Sequence, residues 1–287
     1  MPAPGEPGSE TWKDKNNAWQ TGGGAMWVTG SYDVATNQVL WGTGNPAPMY
    51  NPYYRPGDNL YTNSLISWDP DTGKMNWYHQ YVPGDMWDYD AAGTHILIDG
   101  EVSGQPHKLV THSARNGFLY AFERTNGQTL LAKPYMDEIN WTKGIDQKTG
   151  LPIDYDPTKD IQVYSGLQNQ TLTDRTKKLC PSHEGGNNYW SASYSPRTRL
   201  LYIPSRPTCD EVTMTRTNSG APLGPCWAVG SGFSRGPNPT SQSPIRSPAR
   251  SRTGCWYPIR TSAPSSRQPA ASFSRALAME RSPPMMI

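Results

Sequence analysis

The sequence predicts an all-β chain: a partial β-propeller of several four-stranded blades, ending in a disordered or irregular C-terminal tail. A hairpin unit of apolar strand, polar turn and second strand recurs at intervals of tens of residues, the mark of a repeated sheet array. Eleven Trp and sixteen Tyr against four Phe, with 27 Gly and 28 Pro, suit aromatic-rich strands joined by many turns. No segment carries a strong helical period. An antiparallel sandwich shares these hairpins and is the alternative architecture.

The first hairpin spans residues 32–41, with its turn between Asp33 and Asn37. The clearest copy spans residues 67–77 and turns through Asp69-Pro70-Asp71-Thr72-Gly73. Residues 122–130 turn at Asn126-Gly127, and residues 194–202 form the fourth copy around Thr198. Gly or Asn in such turns accepts positive φ, while aromatic and β-branched flanks suit strands. Between the second and third copies, residues 94–100 read as a strand closing on an Asp99-Gly100 turn, and residues 108–111 as a further strand. Residues 137–170 are polar and nearly aperiodic, which predicts a long surface insertion.

The last segment is a different polymer. Residues 1–231 make the propeller portion, whereas about half of residues 232–287 are Ser, Pro or Arg, with a single Glu and no Asp or Lys. By composition this is a disordered basic tail of the kind that binds nucleic acid. The genetic code offers a second explanation. Read one base out of frame, residues 268–287 can spell a strand-turn-strand unit, and residues 244–252 can spell a turn that echoes Asp69–Lys74. A frameshift between Trp227 and Thr240 is the favoured explanation. It strips the tail's Arg residues and Cys255 of functional meaning and removes the case for a nucleic-acid partner.

The chain has 287 residues, enough for one or two domains, and its net charge of +2 names no charged partner. No run of about 18 apolar residues is present, so no membrane span is expected. Residues 1–6 lack the basic-then-apolar pattern of a secretory signal.

Chemistry concentrates in two turn-like stretches. Gly42-Thr43-Gly44-Asn45 offers an amide oxygen, and Asp85-Met86-Trp87-Asp88-Tyr89-Asp90 offers carboxylates. These are ligands for a hard cation such as calcium, and a carboxylate among them can act as a base. The same residues also serve as ordinary turn formers whose side chains bond the backbone. The five His residues show no ligand spacing and read as structural. No phosphate-cradling Gly pattern precedes a helix, so Gly22-Gly23-Gly24 is not a nucleotide loop.

The wording of those stretches resembles the active-site core of the pyrroloquinoline-quinone (PQQ) alcohol dehydrogenases. The resemblance covers residues 2–227. It includes Thr21-Gly22-Gly23-Gly24-Ala25-Met26-Trp27, Arg55-Pro56-Gly57-Asp58-Asn59, Ser113-Ala114-Arg115-Asn116-Gly117 and Cys180-Pro181-Ser182, in family order. Residues 67–77 are also similar to the tryptophan-docking repeat of eight-bladed quinoprotein propellers, in which a late Trp packs between blades. A non-enzymatic propeller scaffold shares that repeat but has no use for Trp27, Asn45 or Asp88.

The resemblance implies a set of roles. Trp27 is the indole on which the quinone stacks, and Asn188 is a cofactor contact, with Asn187 beside it as a competitor. Asn45, Asp88 and Asp90 are the metal ligands, and Asp88 is the catalytic base. Asp90 stands where calcium-type members have a small uncharged residue and lanthanide-type members an Asp, so the resemblance favours a lanthanide(III), with Ca²⁺ as the alternative. Arg115 contacts the reactive face of the quinone, where a fixed guanidinium stabilises developing negative charge. Cys180 and Cys209 match a disulfide pair, worth roughly 3–4 kcal/mol in the chain-entropy model and at home in an oxidising compartment. The implied activity is oxidation of a primary alcohol to an aldehyde, with a cytochrome c-type electron acceptor, in the periplasm, and with a homodimer for the intact family member. Family members draw a metal-binding Glu and other cofactor contacts from segments before Pro2. The resemblance therefore implies an internal fragment, inactive by itself, whose Met1 is an internal codon.

Overall fold

The computed structural model describes residues 1–15, 17–165, 177–217, 226–232 and 276–278. Its first complete unit is an antiparallel sheet of β1 (Ser31–Asp33), β2 (Gln38–Gly42), β3 (Ser64–Trp68) and β4 (Met75–Gln80), in that spatial order. The second is β5 (His95–Val102), β6 (Gln105–Ser113), β7 (Phe118–Glu123) and β8 (Thr129–Pro134), again in sequence order. Two successive four-stranded meanders are propeller blades, as the hairpin recurrence predicts. A third sheet joins β10 (Ser193–Ser195), β11 (Leu200–Tyr202) and β14 (Ala276–Ala278). A fourth joins β9 (Lys177–Leu179), β12 (Asp210–Thr217) and β13 (Cys226–Gly232), with β12 in the middle. The first strands β1 and β10 both lie beside β5, so three units pack side by side. Apart from β13 and β14, the proposed out-of-frame segment lies outside the described residues.

All four hairpins form where the sequence puts them, and their turns share one mechanism. Asp69 accepts the N–H groups of Asp71 and Thr72, while Gly73 N–H returns to Asp69 O at 2.8 Å. Gly73 sits at φ 68, Gly127 at 76, Asn37 at 52 and Arg199 at 58, each closing its turn in the left-handed region. Residues 99–100 are an exception to the expected register: β5 continues to Val102, and the reversal falls at Ser103-Gly104, with φ 52 and 75. Two consecutive positive-φ residues make the tighter two-residue hairpin.

The docking tryptophan behaves as the repeat implies. Trp77 on β4 donates its indole N–H to Arg124 O at 3.2 Å, and its ring lies against Gly127 on the next blade. Below it, the buried Arg124 guanidinium bonds Asp33 at 2.7 Å and Asp99 at 2.8 Å, tying β1 to the second blade. Leu40 and Leu65 from the first sheet and Val110, Tyr120 and Phe122 from the second share one apolar core.

The expected surface insertion needs correction. Trp141, Ile145 and Tyr164 are buried in that same core, and the Trp141 indole donates to Asn116 O at 2.8 Å. Residues 146–150 also repeat the Asp-x-x-Thr-Gly turn, with Gly150 at φ 72 pressed onto His79. This segment covers the blades, and its few large side chains anchor without any period to betray them. Among the described residues, no helix is long and apolar enough to cross a membrane.

Candidate active site

Strand reversal separates two ends of the molecule. The predicted hairpin turns, β1–β2, β3–β4, β7–β8 and β10–β11, lie at one end. The connections β2–β3, β4–β5 and β6–β7 therefore lie at the other, and these carry Asn45, Asp88 with Asp90, and Arg115. Trp27 precedes β1 and Asn188 precedes β10, which brings both to that same end. The recurring Asp turns are structural because they face away from the chemistry.

The β4–β5 connection is shaped by Asp85. Its buried carboxylate accepts the N–H groups of Trp87 at 3.0 Å and Tyr89 at 3.2 Å, and this forces a tight reversal. Asp88 sits at the turn with φ 68, a conformation Asp tolerates better than most residues. Arg55, fully buried beneath, bonds Asp85 O, Asn59 Oδ1 at 2.7 Å and Pro48 O at 2.9 Å. It ties the β2–β3 and β4–β5 connections together. Tyr89 extends the brace by donating to Pro181 O at 2.5 Å, beside the Cys180–Cys209 disulfide.

Arg115 is the hub of the side-chain constellation. Its Nη1 donates to Asp88 O at 2.7 Å and stands 3.6 Å from the Asp88 carboxylate. Nη2 donates to Asn188 Oδ1 at 3.0 Å and stands 3.4 Å from Asp90 Oδ2. The guanidinium carbon lies 5.6 Å from the centre of the Trp27 ring, within cation–π range. Gly185 lets the 180–188 loop close on Arg115: a Cβ there would lie 2.4 Å from the Arg115 Cβ. Asp90 accepts the Asn45 backbone N–H and the Trp27 indole N–H, the latter at 2.8 Å. Trp27, Asp88, Asp90, Arg115 and Asn188 thus surround one hollow, and Asn45 joins it through its backbone N–H, its side-chain amide donating to Pro46 O at 2.9 Å. Asn187 turns away and donates to Ser113 Oγ at 2.8 Å.

Burial, and next the neighbouring Asp90 carboxylate, push the Asp88 carboxyl up to about 8, against the pull of Arg115. Burial raises Asp85 as well. Asp88 and Asp90 on one loop, with Asn45 on the loop bonded to it, offer a hard-donor set that a cation would complete. The residues present fit such an ion. Trp27, 47% exposed and beside the edge of Tyr189 at 6.4 Å, presents a flat apolar surface that fits a planar ring.

His183 was not singled out by sequence. Its ring Nδ1 and its backbone N–H both meet Asp210 Oδ2, at 2.5 and 2.8 Å, and that bond raises its pKa. It acts on Asp88 only weakly, in the direction that lowers the Asp88 pKa. Its place between Cys180 and Asn188 was the available signal. His79, His95 and His112 are buried in the blade core, and His107 pairs with Glu123 at 3.0 Å.

Residues 2–133 match the family described as "Glucose/ethanol/alcohol dehydrogenase, beta-propeller domain". The chain is 38% identical over 201 residues to a quinoprotein alcohol dehydrogenase of Pseudomonas putida, covering 70% of this chain and 32% of that protein. It is 35% identical over 200 residues to the lanthanide-dependent methanol dehydrogenase of Methylorubrum extorquens, again 70% of this chain and 32% of the relative. Among solved structures it is similar to a europium-containing methanol dehydrogenase, with a TM-score of 0.64, 33% identity, and coverage of 74% of this chain and 35% of that one. It is also similar to the quinohemoprotein alcohol dehydrogenase of Comamonas testosteroni, with a TM-score of 0.65, 30% identity, and coverage of 82% and 34%. The chain spans about a third of the length of these relatives. Blade topology, the assembled hollow and these matches together make it a partial-length member of the PQQ-dependent alcohol dehydrogenase family of quinoproteins.

Proposed function

We propose that this hollow is the alcohol-oxidising site of a PQQ-dependent dehydrogenase acting on a small primary alcohol. One observation carries the proposal: Arg115 joins Asp88, Asp90, Asn188 and the Trp27 ring in a single contact set drawn from four separate segments. A propeller that served only as a scaffold has no need to bury opposed charges at its loop end.

Asn45, Asp88 and Asp90 would hold a hard cation, and Trp27 would carry the planar quinone. When bound, those groups supply Lewis-acid polarisation and a two-electron acceptor. Asp88 would take the hydroxyl proton of the alcohol: its carboxylate stands 3.6 Å from Arg115, and burial raises its pKa into the range of a base. Arg115 faces the charge that develops on the acceptor and is already held in place by Asp88 O and Asn188. Asn188 orients Arg115. The Asp90 carboxylate adds a negative charge, which favours a trivalent lanthanide over Ca²⁺. The Cys180–Cys209 bond supports an oxidising compartment such as the periplasm. A cytochrome c-type acceptor would remove the electrons, and the intact enzyme would be a homodimer.

This chain by itself is proposed to be inactive. Trp27 and Tyr189 are 47% and 57% exposed, so a planar ligand is gripped from one side. PQQ binding by equilibrium dialysis with lanthanum tests the reading: binding is weak, needs the metal, and is lost in Asp88→Asn and Trp27→Phe. Binding indifferent to both substitutions overturns the site. PQQ-dependent dye reduction with a primary alcohol overturns the inactivity.

A further inference from the structure

Asp90 is held from three directions, and one of its partners is the indole beneath the proposed ring site. Oδ1 accepts the Asn45 backbone N–H, and Oδ2 accepts the Trp27 Nε1–H at 2.8 Å with Arg115 Nη2 3.4 Å away. The carboxylate is 8% exposed. Gly44 admits this arrangement: a Cβ there would lie 3.0 Å from Asp90 Oδ1 and 3.2 Å from Ala25 O, in the segment that leads to Trp27. Trp27 itself is only half covered, so its hydrogen bond to Asp90 fixes the ring more than packing does. A carboxylate offers four lone-pair directions; two are taken by N–H donors here, and the others remain for a cation.

We propose that Trp27 is a positioning residue for the cation as well as the platform for the ring, acting through its N–H on the Asp90 carboxylate. A donor on the outer side of a ligating carboxylate sets its angle, and losing such a partner typically weakens metal binding 10–100-fold. Binding at the two halves is then thermodynamically coupled, and the coupling is reciprocal. The identity of the two ligands rests on the function proposed above; the tether does not.

Trp27→Phe keeps a flat apolar ring but removes the N–H together with the outer part of the indole. Titration calorimetry of the chain with lanthanum ion alone is expected to give roughly tenfold weaker binding in Trp27→Phe than in the wild type. In ¹⁵N-labelled protein without ligand, the resonance missing from Trp27→Phe identifies the Trp27 indole N–H. It shifts upfield in Asp90→Ala and is perturbed in the wild type by lanthanum. Equal lanthanum affinity in Trp27→Phe and wild type overturns the inference, as does a Trp27 resonance unmoved by Asp90→Ala. If Trp27→Phe loses lanthanum affinity while the wild type takes up no PQQ, the functional reading fails and the positioning role stands. Equal lanthanum affinities together with metal-dependent PQQ binding reverse that outcome. No lanthanum uptake by the wild type sinks both.

Discussion

Arg115 grips Asp88 at two points, its Nη1 donating to the carbonyl oxygen at 2.7 Å and standing 3.6 Å from the carboxylate. The same guanidinium stands 3.4 Å from the buried Asp90 carboxylate, so one buried cation faces a buried acid and a partly buried one. Replacing it with an uncharged side chain of similar bulk leaves those acids uncompensated. Arg115→Met is expected to lower stability by about 3–5 kcal/mol in urea unfolding without metal. Lanthanum should restore part of that loss, since an ion among the carboxylates supplies the missing charge.

Gly127 and Gly73 provide a matched pair for the docking tryptophan. Both have positive φ, 76 and 68, but a Cβ on Gly127 would lie 2.6 Å from Trp77 Cε3, whereas one on Gly73 meets open space. Gly73→Ala should cost about 1–2 kcal/mol for the left-handed backbone alone. Gly127→Ala should cost a further 1–3 kcal/mol, roughly, for displacing the indole between blades. Thermal melts of both variants check the difference.

How much was legible depended on whether a feature is local. The hairpins were, because Asp69 and Gly73 close their turn within five residues. The candidate site was proposed from family wording at Trp27, Asn45, Asp88 and Arg115, not from any period, and the fold brings these segments to one end. What stayed hidden was long-range. Trp141 looked like part of a polar insertion until Asn116, 25 residues back, accepted its N–H. His183 looked structural because Asp210, 27 residues on, is what raises its pKa. The Trp27–Asp90 bond, across 63 residues, could not be inferred from either segment alone.

Three histidines make the blade core sensitive to acid. His95 and His112 stack directly opposite each other, with ring centres 4.1 Å apart, and Tyr81 Oη meets His95 Nε2 at 3.1 Å. Burial lowers His79 to about 3 and His112 to about 4, and lowers His95 further below its usual value. The unfolded chain takes up these protons near pH 6.5, well before the folded one does. Stability is therefore full above that pH and falls as pH drops from about 6.5 toward 4. Melting temperature followed across this window should decline, and His112→Gln should flatten the slope.

The disulfide holds the 180–188 loop against Tyr89 and Arg115. Cys180 and Cys209 are 29 residues apart, so reduction should cost about 3–4 kcal/mol in the chain-entropy model. Urea unfolding of Cys180→Ser/Cys209→Ser measures it. Reduction should also weaken lanthanum binding, because Tyr89 between the two proposed Asp ligands is anchored on Pro181.

Crystals of the chain soaked in lanthanum chloride offer the most direct test, through anomalous scattering from the bound ion. A single strong peak within ligating distance of Asn45, Asp88 and Asp90, beside the Trp27 ring, is the expected result. A map in which the ion sits instead at the Asp69 or Asp146 turns, with the hollow empty, contradicts the account.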